Sequence, residues 1–342
     1  MKRNLVWVFV SLVLLIFLPG HLGAAAPFYE GQTVRIIVGY TPGGGYDLYA
    51  RTIARHIGRH LPGKPTVIVE NMPGAGSLIS ANYLFRAAKP DGLTIGHFNG
   101  GLFFSQVMGM PGIEFDARKF EYIGTATTGG TVALLTKATG INTLEKWLLS
   151  KRPLKLGGVV VGAYAPDNVI RIVKEALSLP IHHVSGFKGI ADIRMAVEGG
   201  DLDGSFGAWY GVRVSWRKVI ESGDILIPMQ AVAKPFPDLP NVPLAINLAK
   251  TEDARQIIKA GVHLPAVFAW PFVLPPATPK ERVQTVREAF QDTLKDSEFL
   301  SEVEKAKMGI DAVSGEELEK IVHEVFKTDP AVLNRLKSIT LK

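Results

Sequence analysis

The chain of 342 residues contains no cysteine. That absence excludes disulfides, thiolate metal sites, a cysteine nucleophile and a lipid-modified N-terminal cysteine. Charge is also sparse. Charged residues make up 20% of the chain against 47% apolar residues, a balance for a globular protein rather than a disordered one. Lys and Arg exceed Asp and Glu by only 38 − 32 = 6, too little over this length to suggest a nucleic-acid surface. Several chemical signatures are missing: no Gly-Lys-Ser/Thr follows a glycine loop, and neither Gly-x-Ser-x-Gly nor His-Glu-x-x-His occurs. His182 and His183 adjoin on an expected strand, so they point to opposite faces and do not chelate together. We therefore expect no metal, no cofactor and no catalysis.

Only one long apolar run stands out, Leu5 to Leu18. It falls short of the ~20 residues that a membrane-spanning helix needs. Lys2 and Arg3 precede it, Pro19-Gly20 breaks it, and Gly23-Ala24-Ala25-Ala26 offers small residues for cleavage. Residues 1–26 thus read as a secretory signal, with the mature protein in the periplasm. Without them the charge excess falls to 36 − 32 = 4.

Glycine (35) and proline (22) are plentiful instead, and they punctuate a repeated pattern. Val34 to Val38 suits a buried strand, Gly39 to Gly45 a loop, and Asp47 to His60 a helix with apolar positions 50, 53, 54, 57 and 61. Arg51, Arg55 and Arg59 line its other face, which we read as solvated. Thr66 to Val69 is a second strand, Asn71 to Ser77 a second glycine loop, and Leu78 to Ala88 a second helical stripe. Leu93 to Gly96 is a third strand. This β-α-β-α-β order predicts parallel strands.

A second unit is expected from residue 128. It has strands near 132–135, 156–161 and 182–184, and helices over 142–149, 167–179 and 190–198. A strand over 225–232 then leads back. Helices are expected over 252–261, 279–296, 298–308 and 315–327, the last with Ser314 and Glu317 at capping-box spacing. The length and this order predict two α/β lobes, each a mainly parallel sheet flanked by helices. The lobes are expected over 27–127 with 234–342, and over 128–233.

Each glycine loop follows a strand and precedes a helix, where ligands bind in open parallel sheets. A helix start carries unpaired N–H groups and about half a positive charge. Two such starts make an anion site without Lys or Arg. Gly43, Gly44, Gly45, Gly74 and Gly76 allow close backbone approach, while Pro42 and Pro73 stiffen the entries. The alternative is two tight turns with no ligand; their matched placement favours a site. Asp47 suits an N-cap, and also suits acceptance of a hydrogen bond from a ligand.

The segments 34–51 (VRIIVGYTPGGGYDLYAR), 67–77 (VIVENMPGAGS) and 87–96 (AAKPDGLTIG) resemble the receptor subunits of tripartite tricarboxylate transporters, the Bug family. Weaker similarity continues through Phe187-Lys188-Gly189, residues 199–206, residues 236–243 and residues 275–279. The resemblance implies a periplasmic solute-binding protein, with a small carboxylate held between two lobes and delivered to a two-subunit membrane permease. It implies binding through Tyr40, Pro42, Gly43, Gly44, Gly45, Tyr46, Asp47, Gly74, Ala75, Gly76, Ser77 and Asn99, and a monomeric state. Ser77 stands where the family usually has glycine; its hydroxyl either adds a donor or caps the second helix, and we favour the cap. Tyr164, Phe187 and Trp209 would make the second lobe aromatic and admit a bulky or aromatic acid, although aromatics are more often core. A sensory protein that presents its ligand to a membrane kinase would carry the same site. A periplasmic hydrolase would need a Ser–His or metal constellation.

Overall fold

The structure, a computed structural model, describes residues 28–160 and 164–341. The expected signal segment lies outside them. In chain order the strands are β1 (Thr33–Val38), β2 (Thr66–Asn71), β3 (Thr94–His97), β4 (Glu121–Thr125), β5 (Thr131–Thr136) and β6 (Leu154–Gly157). They continue with β7 (Ile181–Val184), β8 (Gly204–Ala208), β9 (Ile225–Leu226), β10 (Gln230–Ala231), β11 (Phe272–Leu274) and β12 (Val313–Ser314). They build two sheets. One has the order β12-β4-β11-β3-β1-β2, the other β10-β5-β8-β6-β7, with β9 also on β5.

The expected parallel pairs are present: β1 lies between β2 and β3, all parallel. Apolar side chains of β1 are buried on both faces, as parallel strands under helices require. The sheets are nevertheless mixed rather than mainly parallel. Strand β11 enters between β3 and β4 antiparallel to both, and β12 pairs antiparallel with β4. In the second sheet β6 is parallel to β7 and β8, while β5 runs antiparallel to β8, β9 and β10. The short run Phe272–Leu274 lies between Trp270-Pro271 and Pro275-Pro276. It has no length of alternation by which to be read as a strand from sequence. The expected strand 225–232 is two short ladders, β9 and β10, interrupted around Pro228, since proline cannot donate to a ladder.

Helix α1 (Gly45–Ile57) buries Tyr49, Ala50, Ile53 and Ile57, the stripe its sequence predicts. Its arginine face is not simply solvated. Arg55 and His56 pair with Glu302, and Arg59 with Glu298, on the helix Ser297–Lys305. Ser314 accepts the Glu317 N–H as the capping box requires. Helices over 101–107 and 209–215 were not expected from sequence; each spans only 7 residues, too few turns to display a helical period. A last helix, Pro330–Thr340, packs on the second sheet's helix Val169–Leu177, as does Glu252–Ile258. Among the described residues no helix is long and apolar enough to cross a membrane.

Candidate functional site

A cavity of about 60 Å³ lies where the two sheets meet. From the first sheet it is lined by Tyr40, Thr41, Gly44, Gly45 and Tyr46, with Trp270 from the loop before β11. Gly189, Ile190, Phe206, Ala208 and Gly211 belong to the opposite wall. Two helix starts therefore face one space. Helix α1 begins at Gly45, and its first intrahelical bond runs from Leu48 N–H to the Gly44 carbonyl. The helix Ile190–Glu198 begins beside Gly189, and its first bond runs from Ile193 N–H to Gly189. The backbone N–H groups ahead of those bonds have no partner inside their helices, and both helix ends carry positive partial charge.

Loop 41–45 is fastened from behind by Asp47. Its carboxylate accepts from the Gly43 N–H at 2.9 Å, from Arg51 Nε at 3.0 Å and from Asn71 Nδ2 at 2.9 Å. Burial pushes this carboxyl up, but the bonds from Arg51, Gly43 and Asn71 outweigh it and hold it below the usual range. Asp47 is not the N-cap; that position is Gly44, and Asp47 lies in the first turn and reaches back. It is 2% exposed and outside the cavity lining, as are Pro42 and Gly43.

The second glycine loop occupies a different place from the one its sequence suggests. Gly74, Ala75, Gly76 and Ser77 all have positive φ, at 138°, 46°, 62° and 74°. For Ala75 and Ser77 this costs about 1–2 kcal/mol each. This left-handed turn lies outside the cavity lining. Ser77 makes no side-chain cap of helix α2 (Leu78–Arg86), which corrects the cap we favoured. Its hydroxyl instead accepts the Asn99 N–H at 2.9 Å. Asn99 Nδ2 in turn donates to the Tyr40 hydroxyl at 3.2 Å, and Tyr40 lines the cavity. Loop 74–77 thus supports Tyr40 rather than facing the cavity itself. Ser77 fits only because residue 39 is glycine, where a Cβ would lie 2.3 Å from the Ser77 Cβ. Burial pushes the Tyr40 hydroxyl well above its ordinary pKa.

Tyr46 stacks on Trp270 with ring centroids 4.3 Å apart and donates to the Ala269 carbonyl at 2.8 Å. Behind it His97 is fully buried and stacks on Phe272 at 4.0 Å. Its Nδ1 lies 3.0 Å from the Pro271 carbonyl, so that nitrogen carries the proton. Burial pushes the His97 pKa down to about 4, which leaves a neutral ring at pH 7.

In the second wall, Val159, Pro166, Phe206 and Val212 present apolar surface. Behind Val159 lies Asp167, fully buried, accepting from the N–H groups of Val159 at 2.6 Å and Val160 at 3.1 Å and from Ser185 Oγ at 2.7 Å. His183 Nε2 stands 2.9 Å from the same carboxylate. The acid therefore sits between serine and histidine, whereas a hydrolase triad needs the imidazole in the middle. His182 points out to solvent and His183 inwards, as expected of neighbours on one strand. Trp209 is turned away, its Nε1 donating to Asp238 at 3.0 Å. Phe187 is half-buried and packs with the second core. Both lie outside the lining, and the Tyr164 side chain lies outside the described residues.

Of the residues expected at the site, Tyr40, Gly44, Gly45 and Tyr46 line the cavity. Ser77 and Asn99 support it, and Asp47 fixes its loop. Sequence reasoning missed Thr41, Trp270, Phe206, Ile190 and Gly211. Gly189 was within reach through the Phe187-Lys188-Gly189 segment, whereas Trp270 carries no local signal. Elsewhere, His56, Asp296 and Glu298 are the one described group with metal-ligand spacing. The Nε2 of His56 is engaged by Glu302 at 2.7 Å, and Arg59 is threaded between Asp296 and Glu298. The group is an ion-pair network that holds Ser297–Lys305 on α1.

Two mixed sheets with a cavity at their junction define a two-lobed α/β protein. Residues 49–338 match the tripartite tricarboxylate transporter family receptor, and the chain belongs to that family. A UPF0065 protein from the gbd 5′ region of Cupriavidus necator is 22% identical over 319 residues, 92% of this chain and 90% of that one. The periplasmic binding protein BugD superposes with a TM-score of 0.72 at 21% identity, covering 90% of this chain and 97% of that one. MatC of Rhodopseudomonas palustris, solved with bound malate, gives 0.68 at 18% identity over 90% and 98% of the two chains. A further R. palustris protein, solved with adipate, gives 0.70 at 17% identity over 90% and 97%. Members of this family are solute-binding proteins, not enzymes, and they work with a membrane transporter.

Proposed function

We propose that the protein is a periplasmic receptor that captures a small carboxylate at the junction of its lobes and presents it to a two-subunit membrane permease. The observation that carries this reading is the facing of two helix starts, Gly45 and Ile190, from opposite sheets across one cavity. An anion seated there satisfies N–H groups of both lobes at once, so its binding favours their apposition. Malate and adipate in two structural neighbours support a carboxylate as the anion. The lobes are residues 27–127 with 234–342, and 128–233, with the helices Glu252–Ile258 and Pro330–Thr340 resting on the second. Residues 1–26 are the cleaved signal, and the protein acts as a monomer.

Thermal melting tests the anion site. Saturating carboxylate raises the melting temperature, because a ligand that binds only the folded state stabilises it by mass action. The corresponding amides leave it unchanged. A shift produced only by the uncharged compounds overturns the reading. Mass spectrometry of ligand released from protein purified out of its native periplasm then names the acid.

A further inference from the structure

We infer that this cavity selects acids with one carboxylate and an apolar or aromatic body, and rejects di- and tricarboxylates. The inference rests on the carboxylate reading above and narrows it.

Every residue that lines the cavity is uncharged: glycines, alanine, valine, isoleucine and proline, with Thr41, Tyr40, Tyr46, Phe206 and Trp270. The two helix starts supply donors for one carboxylate. The tyrosine hydroxyls are committed in part, Tyr46 to the Ala269 carbonyl and Tyr40 to Asn99. Two arginines on helices that reach the cavity are held elsewhere, Arg51 by Asp47 and Arg213 by Asp238. A second carboxylate would therefore lie against Val159, Pro166, Phe206 and Val212.

The wall behind those residues adds a further obstacle. Asp167 is fully buried there and already takes the N–H groups of Val159 and Val160, so they are closed to a ligand. A carboxylate pushed towards this wall exchanges water for groups that cannot donate to it. The same surface suits a flat or branched apolar body. Phe206 and the Tyr46–Trp270 stack offer aromatic faces on both sides.

Calorimetric titration of the purified protein with three ligands of one carbon skeleton tests the inference: adipate, monomethyl adipate and dimethyl adipate. Phenylacetate serves as an aromatic monoanion. We expect the monomethyl ester to bind at least ~100-fold more tightly than adipate, because the second carboxylate of adipate would be buried without a donor. We expect phenylacetate to bind and the dimethyl ester not to. Adipate binding as tightly as its monoester, or no binding by either monoanion, overturns the selectivity while leaving a carboxylate receptor intact. A dimethyl ester that binds as well as the monoester overturns the carboxylate reading itself.

Discussion

Gly45 of the first sheet's leading helix and Gly211 of the second sheet's helix Trp209–Ser215 meet backbone to backbone. A Cβ on Gly211 would stand 3.1 Å from the Gly45 Cα and 2.8 Å from Trp270 Cη2. Neither contact belongs to the second sheet, so the pair is a direct measure of how closely the lobes approach.

Gly211→Ala is therefore a wedge between lobes. Overpacking of this kind costs about 1–3 kcal/mol, which we expect to appear as ligand affinity weakened by about 5–150-fold. The melting temperature of the unliganded protein should fall as well, because the methyl also meets Trp270, a buried core residue. Calorimetry with a bound carboxylate checks it, and unchanged affinity would show that the lobes do not close on this contact.

Ser77 tests the support for Tyr40. Replacement by alanine keeps the left-handed backbone strain and leaves the buried Asn99 N–H without its acceptor, a loss of about 1–3 kcal/mol. Replacement by glycine loses the same bond but relieves about 1–2 kcal/mol of strain. The expected order of stability is Ser77→Ala below Ser77→Gly, with Ser77→Gly near the native protein. Urea unfolding measures it. Equal stability of the two variants would mean that the positive φ at residue 77 is not strained.

Asp47→Asn separates a positioning role from a ligand contact. The amide no longer accepts equally from Gly43, Arg51 and Asn71, so the loop loosens and the fold loses about 1–2 kcal/mol. Because Asp47 lies outside the cavity, affinity should fall by a similar factor for every ligand in a carboxylate series. A variant that changes the preference among ligands instead would place Asp47 in direct contact with them.

His97 sets a pH dependence whose sign follows from its burial. Its pKa is about 4 in the folded protein and near 6.5 in the unfolded chain. Between these values the unfolded state holds the proton and the folded state does not, so stability rises with pH. The contribution is full above about pH 6.5, is lost as pH falls to about 4, and amounts to on the order of 3 kcal/mol. His97→Gln keeps a donor for Pro271 but cannot titrate, so it should flatten this part of the stability–pH curve. A slope identical to the native one would assign the dependence to other groups.

Much of this architecture is legible in the sequence because the first unit is periodic. The strand–loop–helix order around Val34–Val38, Gly39–Gly45 and the helix stripe at 50, 53 and 57 recurs once more, and both instances fold as read. The site was legible by half for a geometric reason. Strand–loop–helix logic places Gly44 and Ser77 alike, at the starts of neighbouring helices. It contains nothing about φ, and four successive positive values turn the second loop away. The missing helix start comes instead from Gly189, about 145 residues further along the chain than Gly44. Only the packing of one sheet on the other brings it opposite Gly44. Trp270 was invisible for the same reason: its role comes from β11 threading between β3 and β4, a pairing no local pattern announces.

The last helix has a mechanical consequence. Pro330–Thr340 reaches the first lobe through Thr340, whose hydroxyl lies 3.6 Å from Met108 Sδ, and the second through Leu336, beside Gly261 and the helix Val169–Leu177. The final helix thus ties elements of both sheets together, in addition to the covalent chain. Any parting of the two sheets must either carry this helix along with one of them or break its hold on the other.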